Sequence, residues 1–320
     1  MNAKQNPTRD HHYVPVCYLK QFIDPEKNRV SSLNLEYLNS GFPVRPKWFA
    51  PRQFCYIENY YTISEDLKEE FKDFDVYDAL HIESDLFGIL ENRFPKLVNM
   101  VIRERTMPIA SAADFADLVL QMKIRNPYWL QGMVGKTEQW LDEIYPKLAD
   151  QFVADPKYQH YSEELKRYAL EKEIIRTRKS PLLNKRLQLH SLIQRNTPGS
   201  KGNVRLRQAM LQTNWVLLKA TGTQRFITTD NPGFAVDKKL FHNIKLKDYF
   251  RFYLPLSPRH CLMLGEGTDH KFLKKRKVKL IIFRAVTDQF VAEVNQTQLK
   301  NAFRYAIADN EDFLNTIKKT

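Results

Sequence analysis

Phe226-Ile227-Thr228-Thr229-Asp230-Asn231-Pro232-Gly233 is the stretch on which the fold turns. An apolar, β-branched run stops at Asp230, and Asn231-Pro232-Gly233-Phe234 then places proline and glycine where a type II turn needs them. A strand ending in such a turn, this late in the chain, predicts a β-rich C-terminal part. Similar strand-like segments surround it at residues 215–220, 225–229, 252–256, 261–264, 278–283 and 289–294, several separated by turn signals. Two more stand early, at 30–35 and 56–63. Between the two groups the periodicity changes to helical: Leu80, Leu86, Leu90, Phe94, Leu97 and Val101 recur three, four or six residues apart, with Pro95 as a kink. A second helix starts near Ser111 and breaks near Pro127 before resuming toward Trp140 and Ile144, and a third covers 162–178.

Strands this short need a shared sheet. The pattern therefore predicts an α+β fold in which N- and C-terminal segments build one mostly antiparallel sheet, with a large helical insert at about 78–195, a β-rich part at about 205–320 and a final helix over 296–308. The chain reads as a single domain over 1–320, the alternative being a split at the Gly/Ser/Pro-rich loop around Pro198. Pro15 suits the start of a short helix carrying Val16, Leu19 and Phe22, because proline lacks a donor that this position would leave unused.

Composition narrows the function classes. The chain has 320 residues, 43% of them hydrophobic and 12% aromatic, enough for a packed core. Its apolar runs fall far short of the roughly 20 residues that cross a bilayer, and the N-terminus lacks the apolar stretch of a signal peptide. Three widely spaced cysteines, Cys17, Cys55 and Cys261, fit buried thiols in a reducing cytoplasm. These features predict a cytoplasmic protein with no membrane partner. No Gly-rich phosphate loop, Cys-x-x-Cys pair, His-Glu-x-x-His helix or Gly-x-Ser-x-Gly elbow occurs. The net charge is +13, and residues 174 to 229 contain eleven basic groups and no Asp or Glu. Arg176, Arg178, Lys179, Lys185, Arg186, Arg205 and Arg207 lie in that run, and a second basic cluster spans 271–279. Read as a field, they predict attraction to a polyanion, that is, nucleic acid; read as a solvated face, they serve only solubility.

The candidate chemical groups are few. His11 and His12 lie just ahead of the Pro15 helix, whose dipole would favour neutral imidazoles able to take a proton or bind a metal. Adjacent residues of an extended chain point oppositely, so one of the pair is structural unless the backbone turns between them. Asp230, at a strand end, is either a rigidly held base or metal ligand or a turn-stabilising carboxylate, and Asn231 shares that ambiguity. Glu83 and Glu91 lie on the first helical segment, Glu83 beside its apolar stripe, and Gln121 and Arg125 share one helical face. Arg125 offers a guanidinium suited to phosphate.

The order His11-His12-Tyr13-Val14-Pro15, Tyr18-Leu19, Phe22, then Gln121 to Pro127, Phe226 to Pro232, Pro255-Leu256-Ser257-Pro258 and Asn295 resembles the domain-of-unknown-function family numbered 4238. The His-His-Tyr-Val-Pro and Thr-Asp-Asn-Pro signatures are its specific parts. Members more often carry Ser where this chain has Thr229, and a β-branched residue where it has Gly233. The resemblance implies that the two signatures belong to one architecture. It implies nothing of the chemistry.

The leading expectation is a nuclease: His11 or His12 as base, Asp230 orienting the imidazole or holding a divalent metal with His12, Arg125 stabilising charge at phosphorus, and Glu83 completing a carboxylate pair. The alternatives are a non-catalytic nucleic-acid-binding module and an interaction or sensor protein, in a bacterial defence or toxin setting.

Overall fold

The computed structural model describes residues 9–127, 137–196, 201–236, 240–241, 251–268 and 277–317. The Pro198 loop at 197–200 and the basic residues 271–276 lie outside them. The fold is α+β, with three antiparallel or mostly antiparallel sheets in place of the single expected one.

The smallest sheet pairs β1 (Asp10–His12) with β4 (Tyr56–Glu58), His11 opposite Ile57. A four-stranded sheet runs β3 (Lys47–Phe49), β2 (Val30–Asn34), β13 (Tyr305–Ala308), β7 (Thr228–Thr229). This is the sheet that joins the two ends of the chain. The largest has seven strands in the order β5 (Thr106–Pro108), β12 (Val278–Val286), β6 (Thr213–Ala220), β11 (His260–Thr268), β10 (Arg251–Ser257), β8 (Phe234–Val236), β9 (Leu240–Phe241). Only its β12–β6 pair is parallel among the described pairings. The early strands thus do not enter the large sheet. Their partner β13 arrives from the far end of the sequence and extends β2 instead, Ser32 opposite Ile307.

The helical centre begins with a π-helical turn, Ile82–Phe87, followed by Gly88–Glu91 and by α1 (Phe94–Arg103), where Pro95 stands in the first turn rather than at a kink. Then come α2 (Ile109–Ile124), α3 (Thr137–Ala154), α4 (Glu163–Lys179), α5 (Leu183–Asn196) and α6 (Lys201–Gln212). Helix α2 opens after Pro108, two residues before Ser111. Helix α5 lies within the expected helical insert, whereas α6 runs into the part expected to be β-rich. The mixed surface of α5 carries buried Leu189, Leu192 and Ile193 on a weakly amphipathic stripe that basic residues interrupt.

The end of the chain corrects the expected order. Residues 289–294 are not a strand and 296–308 are not one helix: α7 covers Asp288–Lys300 and β13 follows. Thr287 caps α7 by accepting the Phe290 amide at 3.3 Å, and Val291, Val294, Asn295 and Gln298 are buried at helical spacing. Their three- and four-residue intervals outweigh the β-branched residues that suggested a strand.

The main core packs α1 and α2 and the inner face of the large sheet around Phe22, Phe94, Phe115, Trp215 and Phe252, with Tyr18 reaching in from the N-terminal segment. Tyr18 is fully buried; its hydroxyl lies 2.7 Å from Thr228 Oγ1 and donates to the Pro255 carbonyl at 2.7 Å. The N-terminal signature is therefore stitched to the strand that leads into Asp230.

Candidate functional site

Two knots of buried polar groups form around the two signatures. They meet at the C-terminal end of α2.

The first is built on Asp230. Its carboxylate accepts the Phe303 amide on Oδ1 at 2.9 Å and the Arg304 amide on Oδ2 at 2.7 Å, while its own amide donates to the Tyr305 carbonyl at 3.2 Å. Asp230 is fully buried, and burial pushes its carboxyl up to about 6, against the backbone amides that favour the charge. Asn231 is equally engaged: its amide NH₂ donates to Asn301 O at 2.7 Å and its carbonyl oxygen accepts from Lys123 Nζ at 2.5 Å. Lys123 also donates to Pro232 O at 3.2 Å and Gly233 O at 2.8 Å, so three acceptors meet the three donors of an ammonium. Gly233 has φ +73°, the value position i+2 of a type II turn demands, and a Cβ there would stand 2.6 Å from the Phe252 ring. The Asp230 carboxylate, the Asn231 side chain and the Pro232 and Gly233 carbonyls are thus all answered from within the fold.

The second knot surrounds Arg125. The side chain is 1% exposed; Nη1 donates to Glu91 Oε1 at 2.5 Å, Nε donates to Tyr13 O at 3.3 Å, and the guanidinium lies 4.8 Å from the Phe87 ring centre. Its Nη2 is buried and has no partner. Glu83, on the π-helical turn, has a buried Oε2 that also lacks one. Burial raises Glu83 from the ordinary glutamate value to about 7, Glu91 adding to the rise and Arg125 opposing it. π-Turns of this kind recur at functional sites. Gln121 holds the turn from below, donating to Leu86 O at 2.9 Å. Gln121 and Arg125, one turn apart on α2, thus both grip the 82–91 segment, and Glu91 proves to be the partner of the guanidinium.

His12 borders this knot. Its Nε2 lies 3.1 Å from the Arg52 carbonyl oxygen, which can only accept, so Nε2 carries the proton and Nδ1 presents a lone pair. Burial lowers its pKa below the ordinary histidine value; the Arg52 bond opposes that shift, Arg125 adds to it, and Glu91 and Asp10 oppose it. The expected orienting role of Asp230 is filled by Arg52, since the charges acting on His12 are Arg125, Glu91 and Asp10. His11 points the other way, as alternation in β1 requires. It is fully buried, Nδ1 accepts the Tyr61 amide at 2.7 Å, and its ring stacks on Tyr61 at 5.6 Å. Tyr61 in turn donates to the Arg125 carbonyl at 2.6 Å. His11 positions the backbone under Arg125.

The knots are joined by Arg125 and Asn126. Arg125 holds Tyr13 O, and Asn126 Nδ2 donates to Asp230 O at 2.5 Å. The two signatures therefore share one neighbourhood through α2, while His12 and the Asp230 carboxylate face different partners. Among the described residues no three His, Cys, Asp or Glu side chains gather as a metal site. Cys17, beside the second knot, is pushed up to about 12 by burial and stays a thiol.

A family model described as "Protein of unknown function (DUF4238)" matches residues 10–312. The chain belongs to the DUF4238 family. No curated protein and no solved structure matches it. The match runs from β1 through the residues that close the four-stranded sheet, so both knots lie within what defines the family. No helix among the described residues is long and apolar enough to cross a membrane.

The acid-free run acquires carboxylates in space. Arg176 pairs with Glu173 at 2.6 Å, Arg178 with Asp142, Arg186 with Asp73 at 3.5 Å, Arg207 with Asp117 at 2.7 Å, and Arg225 with Asp309. Lys185 is turned inward onto the Asn59 and Tyr60 carbonyls, and burial draws its pKa down to about 8. Lys179 and Arg205 remain exposed.

Proposed function

We propose that this DUF4238 protein is a ribonuclease that cleaves by acid–base catalysis, with His12 as general base, Glu83 as general acid and Arg125 as the charge-stabilising donor. The observation that carries the reading is the pair of unanswered polar atoms, Arg125 Nη2 and Glu83 Oε2, in a knot whose Arg125 and Glu91 charges also act on His12, an imidazole whose Nδ1 lone pair is set by the Arg52 carbonyl. Buried polar atoms normally find partners, and these two, which lack them, are a donor fit for a phosphoryl oxygen and a carboxyl fit to protonate a leaving oxygen.

The protonation states agree. His12 lies below its ordinary value and Glu83 rises to about 7, so between the two the base is free and the acid still holds its proton. Glu91, ion-paired to Nη1, keeps the guanidinium in place. RNA suits this set because its 2′-hydroxyl is a nucleophile already within reach of the adjacent phosphorus. His12 takes the 2′-OH proton, Arg125 stabilises the pentacovalent oxygens and Glu83 protonates the 5′-oxygen, leaving a 2′,3′-cyclic phosphate. A net charge of +13 favours approach of the polyanion even with many arginines locally paired, since pairing redistributes charge without removing it.

The test is incubation of the protein with total RNA and with a DNA oligonucleotide of matched sequence. RNA cleavage with cyclic-phosphate ends is expected, with a loss of about 10²- to 10⁴-fold in His12→Ala. Wild type and His12→Ala leaving RNA equally intact overturns the proposal, whether or not the RNA is bound.

A further inference from the structure

A cavity of about 780 Å³ lies on the four-stranded sheet and is lined by none of the side chains that make up the two knots. Its floor is the face that carries Ser32 and Asn34 of β2, with Lys47 and Phe49 of β3 and Tyr305 of β13. Register explains the set: Lys47 stands opposite Ser32 and Tyr305 opposite Asn34, and directly opposed residues of antiparallel strands share a face. The wall is Glu36 and Tyr37, then Pro43 to Arg45, with Arg304 closing the end.

Three observations point to a ligand. Ser32 is 4% exposed, and its hydroxyl is buried without any hydrogen-bond partner in the floor of the cavity. A buried hydroxyl left so is a standing cost unless something arrives to meet it. Arg45 and Lys47 project from the wall and floor and make no ion pair among the described residues, while Arg304 is shared with Glu36 at 3.0 Å. Finally, Tyr37 is 55% exposed on the rim, and Tyr305 and Phe49 offer further rings below.

We propose that this cavity binds a phosphorylated nucleoside, a free mononucleotide whose phosphate rests on Arg45, Lys47 and Arg304 and whose base lies against Tyr37 and Tyr305. The volume falls in the range of sites for ligands of that size and is far too large for a bare phosphate. Guanidinium groups match phosphate oxygens, aromatic faces accept a base, and a carboxylate such as Glu36 suits ribose hydroxyls. Asn34 Oδ1 already caps the Leu35–Asn39 helix by accepting the Tyr37 amide at 3.1 Å, so its NH₂ is the end that faces a ligand. The site does not depend on the ribonuclease reading, because no residue is common to the two.

Calorimetric titration of the full chain with AMP, GMP, CMP and UMP, beside adenosine and inorganic phosphate, tests it. At least one mononucleotide is expected to bind about tenfold or more tightly than adenosine or phosphate alone, equally well in wild type and His12→Ala. Arg45→Ala and Lys47→Ala each weaken it about tenfold. Ser32→Ala is the sharper variant: it removes an unanswered hydroxyl, so the unliganded protein melts no lower than wild type while nucleotide affinity falls. Absence of mononucleotide binding, phosphate binding as tightly as the nucleotides, or affinity untouched by these three substitutions each overturns the proposal. A loss of binding in His12→Ala would also do so, and would place the nucleotide in the acid–base site instead.

Discussion

The knots around Asp230 and Arg125 hold similar groups at similar depth, yet they differ in what is left over. Around Asp230 both carboxylate oxygens, the turn carbonyls and the Asn231 amide all have partners within the fold. Around Arg125 one guanidinium nitrogen and one Glu83 oxygen have none. Depth of burial and a displaced pKa are common to both, since Asp230 rises to about 6 and Glu83 to about 7. Gln298, whose NH₂ holds Thr229 and Asn231, also has its Oε1 buried without a partner beside the turn, so the difference is narrower. The Asp230 carboxylate is fully answered, as suits a group that holds a fold together, whereas the unanswered atoms at Arg125 and Glu83 belong to ionisable groups that can meet a substrate. Substitutions should therefore act with opposite sign at the two places.

The largest effect on stability is expected at Asp230. Asp230→Ala takes the acceptor of two part-buried hydrogen bonds away from the Phe303 and Arg304 amides, at about 1–3 kcal/mol each. Urea titration should show a loss of about 2–5 kcal/mol, with the turnover of the remaining folded molecules little changed. Asp230→Asn should not restore it, because its NH₂ meets one of the two N–H groups donor to donor. A variant as stable as wild type but inactive would break the comparison and give Asp230 back a chemical role.

This division was only partly legible in the sequence. The signatures, the short Pro15 helix, Arg125 and Glu83 could be picked out because each is a residue type with a local pattern. That Asp230 serves the backbone could not, because its donors are main-chain amides of residues 303 and 304, which carry no side-chain signal. The same holds for the Arg52 carbonyl that sets the tautomer of His12. Glu91 was visible beside Glu83, but its pairing with Arg125 joins residues 34 apart across two helical segments. The strand order failed for a related reason: β13 belongs beside β2, and nothing local to either states that partnership.

Next in size is Glu83→Gln, where the sign reverses. Folding raises this carboxyl from its ordinary value to about 7, so the folded state holds a proton that the unfolded chain has released. Ionisation thus takes stability away as pH rises through about 4.5 to 7, and the penalty is complete above the folded value. Gln cannot ionise, so Glu83→Gln should match wild type near pH 4.5 and exceed it by up to about 3 kcal/mol at pH 8, while RNA cleavage falls. Unfolding midpoints of both proteins across that range measure it. A pH-independent difference would mean that Glu83 is answered after all, and the contrast with Asp230 would vanish.

The smallest effects test the basic helices, where the same contrast between closed and open groups recurs at the surface. Arg207 is paired with Asp117, both about one-third exposed or less, whereas Arg205 stands exposed on the same helix. Arg207→Ala should cost about 0–1 kcal/mol, less at high salt, with part of that charge already spent on its partner. Arg205→Ala should leave stability alone and reduce the slope of RNA affinity against log salt by about one counterion. Equal salt slopes in the two variants would show that the cation run acts only through its total charge. A slope that falls for Arg205 alone would show that carboxylates brought in from distant segments, which no reading of residues 174 to 229 contains, decide which of its cations meet the polyanion.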